Sequence, residues 1–155
     1  MEKEALKRIF NFLEEKGENR APLRWKILNN IPLTKEDLNV KGNLILRNTN
    51  ITSLPEGLKV GDSLYIENTK ITSLPEGVKV GDSLIMNNTK ISSLPKGLKV
   101  RFWLDLINTK ITSLPEGLKV GGSLFIKQTA LLEYTDEELR EMIKPGFIKG
   151  KILRQ

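Results

Sequence analysis

Arg101, Phe102 and Trp103, with Asp105 two residues on, bring a cation, two aromatic rings and a carboxylate together within five residues. Tryptophan and arginine are the residue types most enriched among those that dominate protein–protein binding energy, because a large amphipathic ring or a planar cation gains most from being desolvated against a partner. The equivalent stretches twenty and forty residues earlier read Gly81-Asp82-Ser83 and Gly61-Asp62-Ser63, and the position held by Glu76 becomes Lys96 just ahead of the cluster. Four small or polar positions have therefore turned basic or aromatic together. The chemistry in view is recognition and not catalysis. With no histidine and no cysteine, the usual general base, zinc ligand and thiolate are missing. The carboxylates that remain, such as Glu67 and Asp105, have no acid/base partner in the sequence. Neither a cofactor nor a metal site is expected: Asp62 and Asp82 recur, but without the clustered oxygen ligands that calcium needs.

These residues are positioned by a unit of fixed length. Residues 41–60, 61–80, 81–100 and 101–120 superpose without a gap, the second reading GDSLYIENTKITSLPEGVKV. A period of this kind places every position at one stacking interval, so the chain reads as a solenoid and function is sought on its surface. Within one unit, Leu64 and Ile66 alternate with Tyr65 and Glu67, the signature of a short strand with one face inward. Asn68 ends it, Ile71 and Leu74 return to the interior, and Val78 and Val80 complete the coil. Pro75, Glu76 and Gly77 predict a type I turn with proline second and glycine fourth. Strands are expected at 44–46, 64–66, 84–86, 104–106 and 124–126, paired in parallel.

The LxLxxNxLxxLP pattern is met by Leu64, Ile66, Asn68, Ile71, Leu74 and Pro75, by Leu44 to Pro55, by Leu84 to Pro95 and by Leu104 to Pro115. It resembles the leucine-rich repeat family in its short 20-residue bacterial and phage form. The resemblance covers residues 41 to about 132. It implies an α/β solenoid with short strands on its concave face and the asparagines laddered inside the turn. The second proline of the family's LPxLP pair is absent, with Gly57, Gly77, Gly97 and Gly117 intervening. A right-handed β-helix is the alternative architecture.

The whole chain reads as one domain. Residues 1–40 are expected to form an N-terminal helical cap and a degenerate coil. The cap's apolar stripe is Ala5, Leu6, Ile9, Phe10 and Leu13, stopped by Gly17, and Leu38 and Val40 fall in phase with Leu58 and Val60. Residues 41–132 hold the repeats, and residues 133–155 a C-terminal cap and basic tail. In that cap Thr135 and Glu138 have capping-box spacing, and residues 146–155 either finish as a strand or stay a tail. MEKEALKR carries charges where a secretory leader would be apolar, and no run is long enough to span a membrane, so a cytoplasmic protein is expected.

Outward positions of the five strands form a grid: Asn43, Ile45, Arg47; Ser63, Tyr65, Glu67; Ser83, Ile85, Asn87; Trp103, Asp105, Ile107; Ser123, Phe125, Lys127. Its middle column is four-fifths apolar although it should face water, with Arg47, Glu67 and Lys127 at its border, the anatomy of a protein interface. Phe102 is expected either beside this grid or tucked under the coil. Lysines recur at 59, 79, 99 and 119 and at 70, 90 and 110, and the net charge is +6. These columns supply the alternative, a nucleic-acid binder, although Glu56, Glu76 and Glu116 repeat at the same period and offset them. The leading expectation is a non-enzymatic protein that binds a partner protein on its concave face. The resemblance adds a bacterial or phage effector or inhibitor that occludes a host or competitor protein.

Overall fold

A computed structural model describes residues 2–15 and 22–155. They fall into two compact units, Met1–Leu33 and Thr34–Gln155. The first holds helices α1 (Glu2–Glu15) and α2 (Leu23–Leu28). On α1, Ala5, Leu6 and Ile9 of the expected stripe are exposed, while Gly17 lies outside the described residues, as do the side chains of Phe10 and Leu13. Helix α2 occupies ground expected to be a degenerate coil. It ends at Asn29, whose side-chain amide donates to the Trp25 carbonyl at 2.8 Å.

The second unit is a parallel β-solenoid. Each turn contributes two strands of two residues where one was expected. In chain order they are β1 (Asn39–Val40), β2 (Leu44–Ile45), β3 (Lys59–Val60), β4 (Leu64–Tyr65), β5 (Lys79–Val80), β6 (Leu84–Ile85), β7 (Lys99–Val100), β8 (Leu104–Asp105), β9 (Lys119–Val120), β10 (Leu124–Phe125), β11 (Phe147–Ile148) and β12 (Ile152–Leu153). Pairing follows the repeat, with Leu44 beside Leu64, Leu64 beside Leu84 and so on to Leu124 beside Ile152. One continuous six-stranded sheet results, in the order β12-β10-β8-β6-β4-β2. Val40 beside Val60 carries the in-phase reading of residues 38–40 into a second row of strands.

No residue between Thr34 and Thr129 is helical, so α/β does not describe the repeats. The reason is length. Between the strand and the next corner, ITSLPEG offers about two turns' worth of residues, two of them β-branched and one a proline, too few to repay helix nucleation. The corner itself lies one residue later than expected. Val78, Leu98 and Leu118 N–H donate to the Pro75, Pro95 and Pro115 carbonyls at 3.3 Å. Gly77 therefore sits third in the turn at φ +75°, as in type II turns, which accounts for glycine there in every repeat.

Inside, Leu64, Ile66, Ile71, Leu84, Met86 and Ile91 are fully buried, and their equivalents stack above and below them. The asparagines are a correction. Asn48, Asn68, Asn88 and Asn108 adopt φ between 52° and 58°, the left-handed region that asparagine tolerates best among residues with a Cβ. That geometry turns their side chains outward. Each amide after the first then donates to the one a turn before, at 2.7 Å for Asn68 to Asn48 and 2.9 Å for the next two. The interior polar ladder is made of threonine. Thr69, Thr89, Thr109 and Thr129 are buried, and each hydroxyl donates to the carbonyl three residues back at 2.6–2.8 Å.

The second row of strands is not continuous: β1-β3-β5 and β11-β9-β7 are separate sheets. Two hydrogen bonds join every other neighbouring pair in this row, as where Lys79 N–H donates to Leu58 and Gly81 N–H to Val60 at 3.1 and 2.8 Å. The equivalents from Lys99 and Arg101 to Val78 and Val80 are not made. The cause lies at the corner. A Cβ built on Gly61, Gly81 or Gly121 would fall 2.2, 1.7 or 2.1 Å from the carbonyl oxygen of the turn before, so a close stack requires glycine. In the last turn Lys149 keeps its bond to Val120, because the closest approach has moved to Gly150, where a Cβ would lie 2.5 Å from Gly122. The fourth turn has Arg101-Phe102 and no glycine at either position. There the ladder opens.

Residues 146–155 carry the strands β11 and β12 and are not a tail. Helix α3 (Asp136–Met142) carries the expected capping box, with Thr135 Oγ1 accepting from Glu138 N–H at 3.2 Å and Glu138 Oε2 accepting from Thr135 N–H at 2.8 Å. It buries Leu139, and Ile143 just beyond it is buried as well. The Arg140 guanidinium then donates to the Ile148 and Gly150 carbonyls, and that of Arg154 to Tyr134 and Asp136. Two cations thus hold β11 and β12 against the stack.

Candidate protein-binding face

The outer face of the six-stranded sheet brings the grid together. Ile45, Tyr65, Ile85, Asp105 and Phe125 stand in one row, because each is the second residue of its strand and the strands pair in register. Pairing of Phe125 with Leu153 adds a sixth member that sequence reading missed. Its spacing is 28 residues and not 20, although FIKGKIL does mirror KVGGSLF. Five of six side chains in this row are apolar. Ile45 is exposed and the other four are half-buried, over six strands that extend about 24 Å.

Trp103 stands at the edge of the row, 56% exposed, and meets Phe125 edge to face with ring centres 6.5 Å apart and planes at 82°. That is a favourable aromatic geometry. Phe102 is exposed and not core, with the Arg101 guanidinium 5.3 Å over its ring. Ser83, Phe102 and Trp103 enclose a hollow of about 290 Å³. The serines of the grid serve structure. Ser63 and Ser83 are buried, and their hydroxyls accept from the backbone N–H of Ser83 and Trp103, each at 3.2 Å, while Ser123 does the same for Lys151.

The third column departs from the expected charged border. Arg47 and Lys127 are exposed, Asn87 and Ile107 half-buried, but Glu67 is only 9% exposed. Its Oε1 faces Arg47 at 3.5 Å, and its Oε2 has no hydrogen-bond partner. Two turns along, Asp105 Oδ1 accepts from the Ile107 N–H at 2.9 Å. Burial pushes the Asp105 carboxyl above its usual range, the hydrogen bond pulls the other way, and the charge of Glu67 adds to the rise. Two carboxylates, one of them with an unpartnered oxygen, therefore sit in or beside the apolar row.

A carboxyl whose pKa is raised on folding stabilises the fold fully below its unfolded value, here 3.8, and loses that contribution as pH rises through the folded value. Asp105→Asn keeps the oxygen that accepts from Ile107 and removes the charge. Its melting temperature at pH 7 is expected above that of the parent, with the gap closing below about pH 4. A gap that persists in acid would assign the effect to packing.

Among the described residues, no group of acidic side chains could hold a metal and no helix is long and apolar enough to cross a membrane. Comparison with protein-family models, curated proteins and solved structures gives no match. The repeat architecture is thus assigned from its own geometry.

Proposed function

We propose that this chain is a non-enzymatic binding protein that engages another protein through the outer face of its six-stranded sheet. The observation that carries this reading is the row of Ile45, Tyr65, Ile85, Phe125 and Leu153, apolar side chains left partly exposed in a straight line and flanked by Trp103. Half-open apolar ground of this extent is characteristic of interfaces. Asp105 defines the partner further. It brings a cation, a lysine or arginine, over the half-buried Asp105. A face optimised for stability alone would not hold a desolvated acid at its centre.

The finer parts of the assignment belong to the same proposal. The repeats are of the short leucine-rich type, the terminal helices act as caps, and the protein works in the cytoplasm as a bacterial or phage inhibitor that covers a working surface of its target. Capture from nuclease-treated lysate at two salt concentrations tests it. Wild-type bait retains its partner at high salt, whereas Ile85→Arg, which sets a charge in the middle of the row, does not. If neutralising Lys59, Lys79, Lys99 and Lys119 abolishes capture while Ile85→Arg leaves it intact, the sheet face is not the interface.

A further inference from the structure

We propose that the opened seam between β5 and β7 is a second site, on the opposite row of strands, that takes the phosphate of a nucleoside phosphate. Three observations meet there. The first is the break itself: Lys99 and Arg101 N–H make no hydrogen bond across to Val78 and Val80, so two backbone donors are released at one point of an otherwise saturated ladder. A backbone N–H left without a partner can donate to an oxyanion.

The second is charge. A hollow of about 470 Å³ lies over the seam, within the size range of small-ligand sites. Lys99, Arg101, Lys119 and Lys149 line it, and no carboxylate does. Asp82, outside the lining, forms a long ion pair with the largely exposed Arg101 at 4.0 Å, a contact that solvent screens. The third is aromatic. Phe102 and Phe147 form the apolar walls, 46% and 40% exposed. Arg101 lies 5.3 Å over the first ring, and Lys149 and Lys119 lie 5.3 and 5.9 Å over the second. Cations interleaved with exposed rings suit a phosphate carrying a planar base, since the rings offer stacking that is indifferent to which base it is. An acidic peptide would use the cations and leave the rings idle.

The same substitution that removes glycine from the corner supplies the cation, so Arg101 both opens the seam and equips it. Those two roles separate experimentally. Arg101→Ala keeps a Cβ and holds the seam open with one cation fewer. Arg101→Gly restores the corner and lets the ladder close.

Amide hydrogen exchange on the full chain reads the seam directly. Lys99 and Arg101 amides are expected to exchange roughly tenfold or more faster than those of Lys79, Gly81, Lys119 and Gly121. Adenosine monophosphate slows them in the wild type. Affinity for it falls in Arg101→Ala and disappears in Arg101→Gly, whose two amides become as slow as their neighbours. Inorganic phosphate, an oligothymidine and an oligoglutamate are the other arms. Inorganic phosphate binds more weakly than the nucleotide, and the oligothymidine binds tighter than the mononucleotide only if the natural ligand is a single strand. The proposal is overturned if the two amides are already slow, if the two variants bind alike, if inorganic phosphate equals the nucleotide, or if oligoglutamate gives the same protection.

Discussion

Trp103→Ala is expected to weaken partner binding by roughly 2–4 kcal/mol, the loss typical of a hot-spot tryptophan at a protein interface. The fold should barely notice. The ring is 56% exposed, its contact with Phe125 is worth about 0.5–1.5 kcal/mol, and the hydrogen bond at this position uses the backbone N–H to Ser83 and survives the substitution. Titration calorimetry against the captured partner, alongside thermal melting, measures both quantities. A variant that binds normally and melts normally would remove the sheet face from consideration. One that unfolds would make Trp103 a structural residue.

Truncation after Glu133 has the larger effect on stability. It removes α3, β11 and β12, and with them the buried side chains of Leu139, Ile143, Ile148 and Ile152. At about 1.5–3 kcal/mol each, four such residues contribute roughly 6–12 kcal/mol gross, comparable to the whole stability of an ordinary domain. The edges of β9 and β10 would also be left unpaired, an invitation to strand addition by another copy. The expected product is aggregated or unfolded, as judged by circular dichroism and size-exclusion chromatography. Deleting residues 61–80 is the matched control. It removes almost as many residues from the middle, yet Val60 would then meet Gly81 in the register it already had with Gly61, so a shorter folded solenoid is expected. A truncated chain that remains monomeric and folded would show that the last coil is an ornament of the stack.

Legibility in the sequence followed the repeat. Leu64, Ile66, Ile71 and Leu74 have equivalents at one spacing in four units, so which residues face inward, and which neighbour each one pairs with, could be read before any coordinates. The grid that includes Ile45, Tyr65, Ile85 and Phe125 came from the same alternation. Positions outside the register were harder. Leu153 joins the row only because α3 and its flanks absorb eight extra residues between Leu124 and Ile152, and local pattern carries no information on how an insertion is folded away.

The sequence by itself determined the coil: its length, its parallel pairing and its inward residues, since a side chain repeated at a fixed interval has one environment in every copy. Tertiary structure decided what depends on distance between coils and on backbone angle. A left-handed asparagine faces water and leaves threonine inside. Glu67 is buried, with Arg47 of the turn before beside it, where its own polarity would place it in water. The ladder parts at Arg101 because a Cβ there competes for the space that the carbonyl oxygen of the turn before occupies beside Gly61, Gly81 and Gly121. Such contacts join residues a full turn apart, where excluded volume acts and sequence pattern is silent.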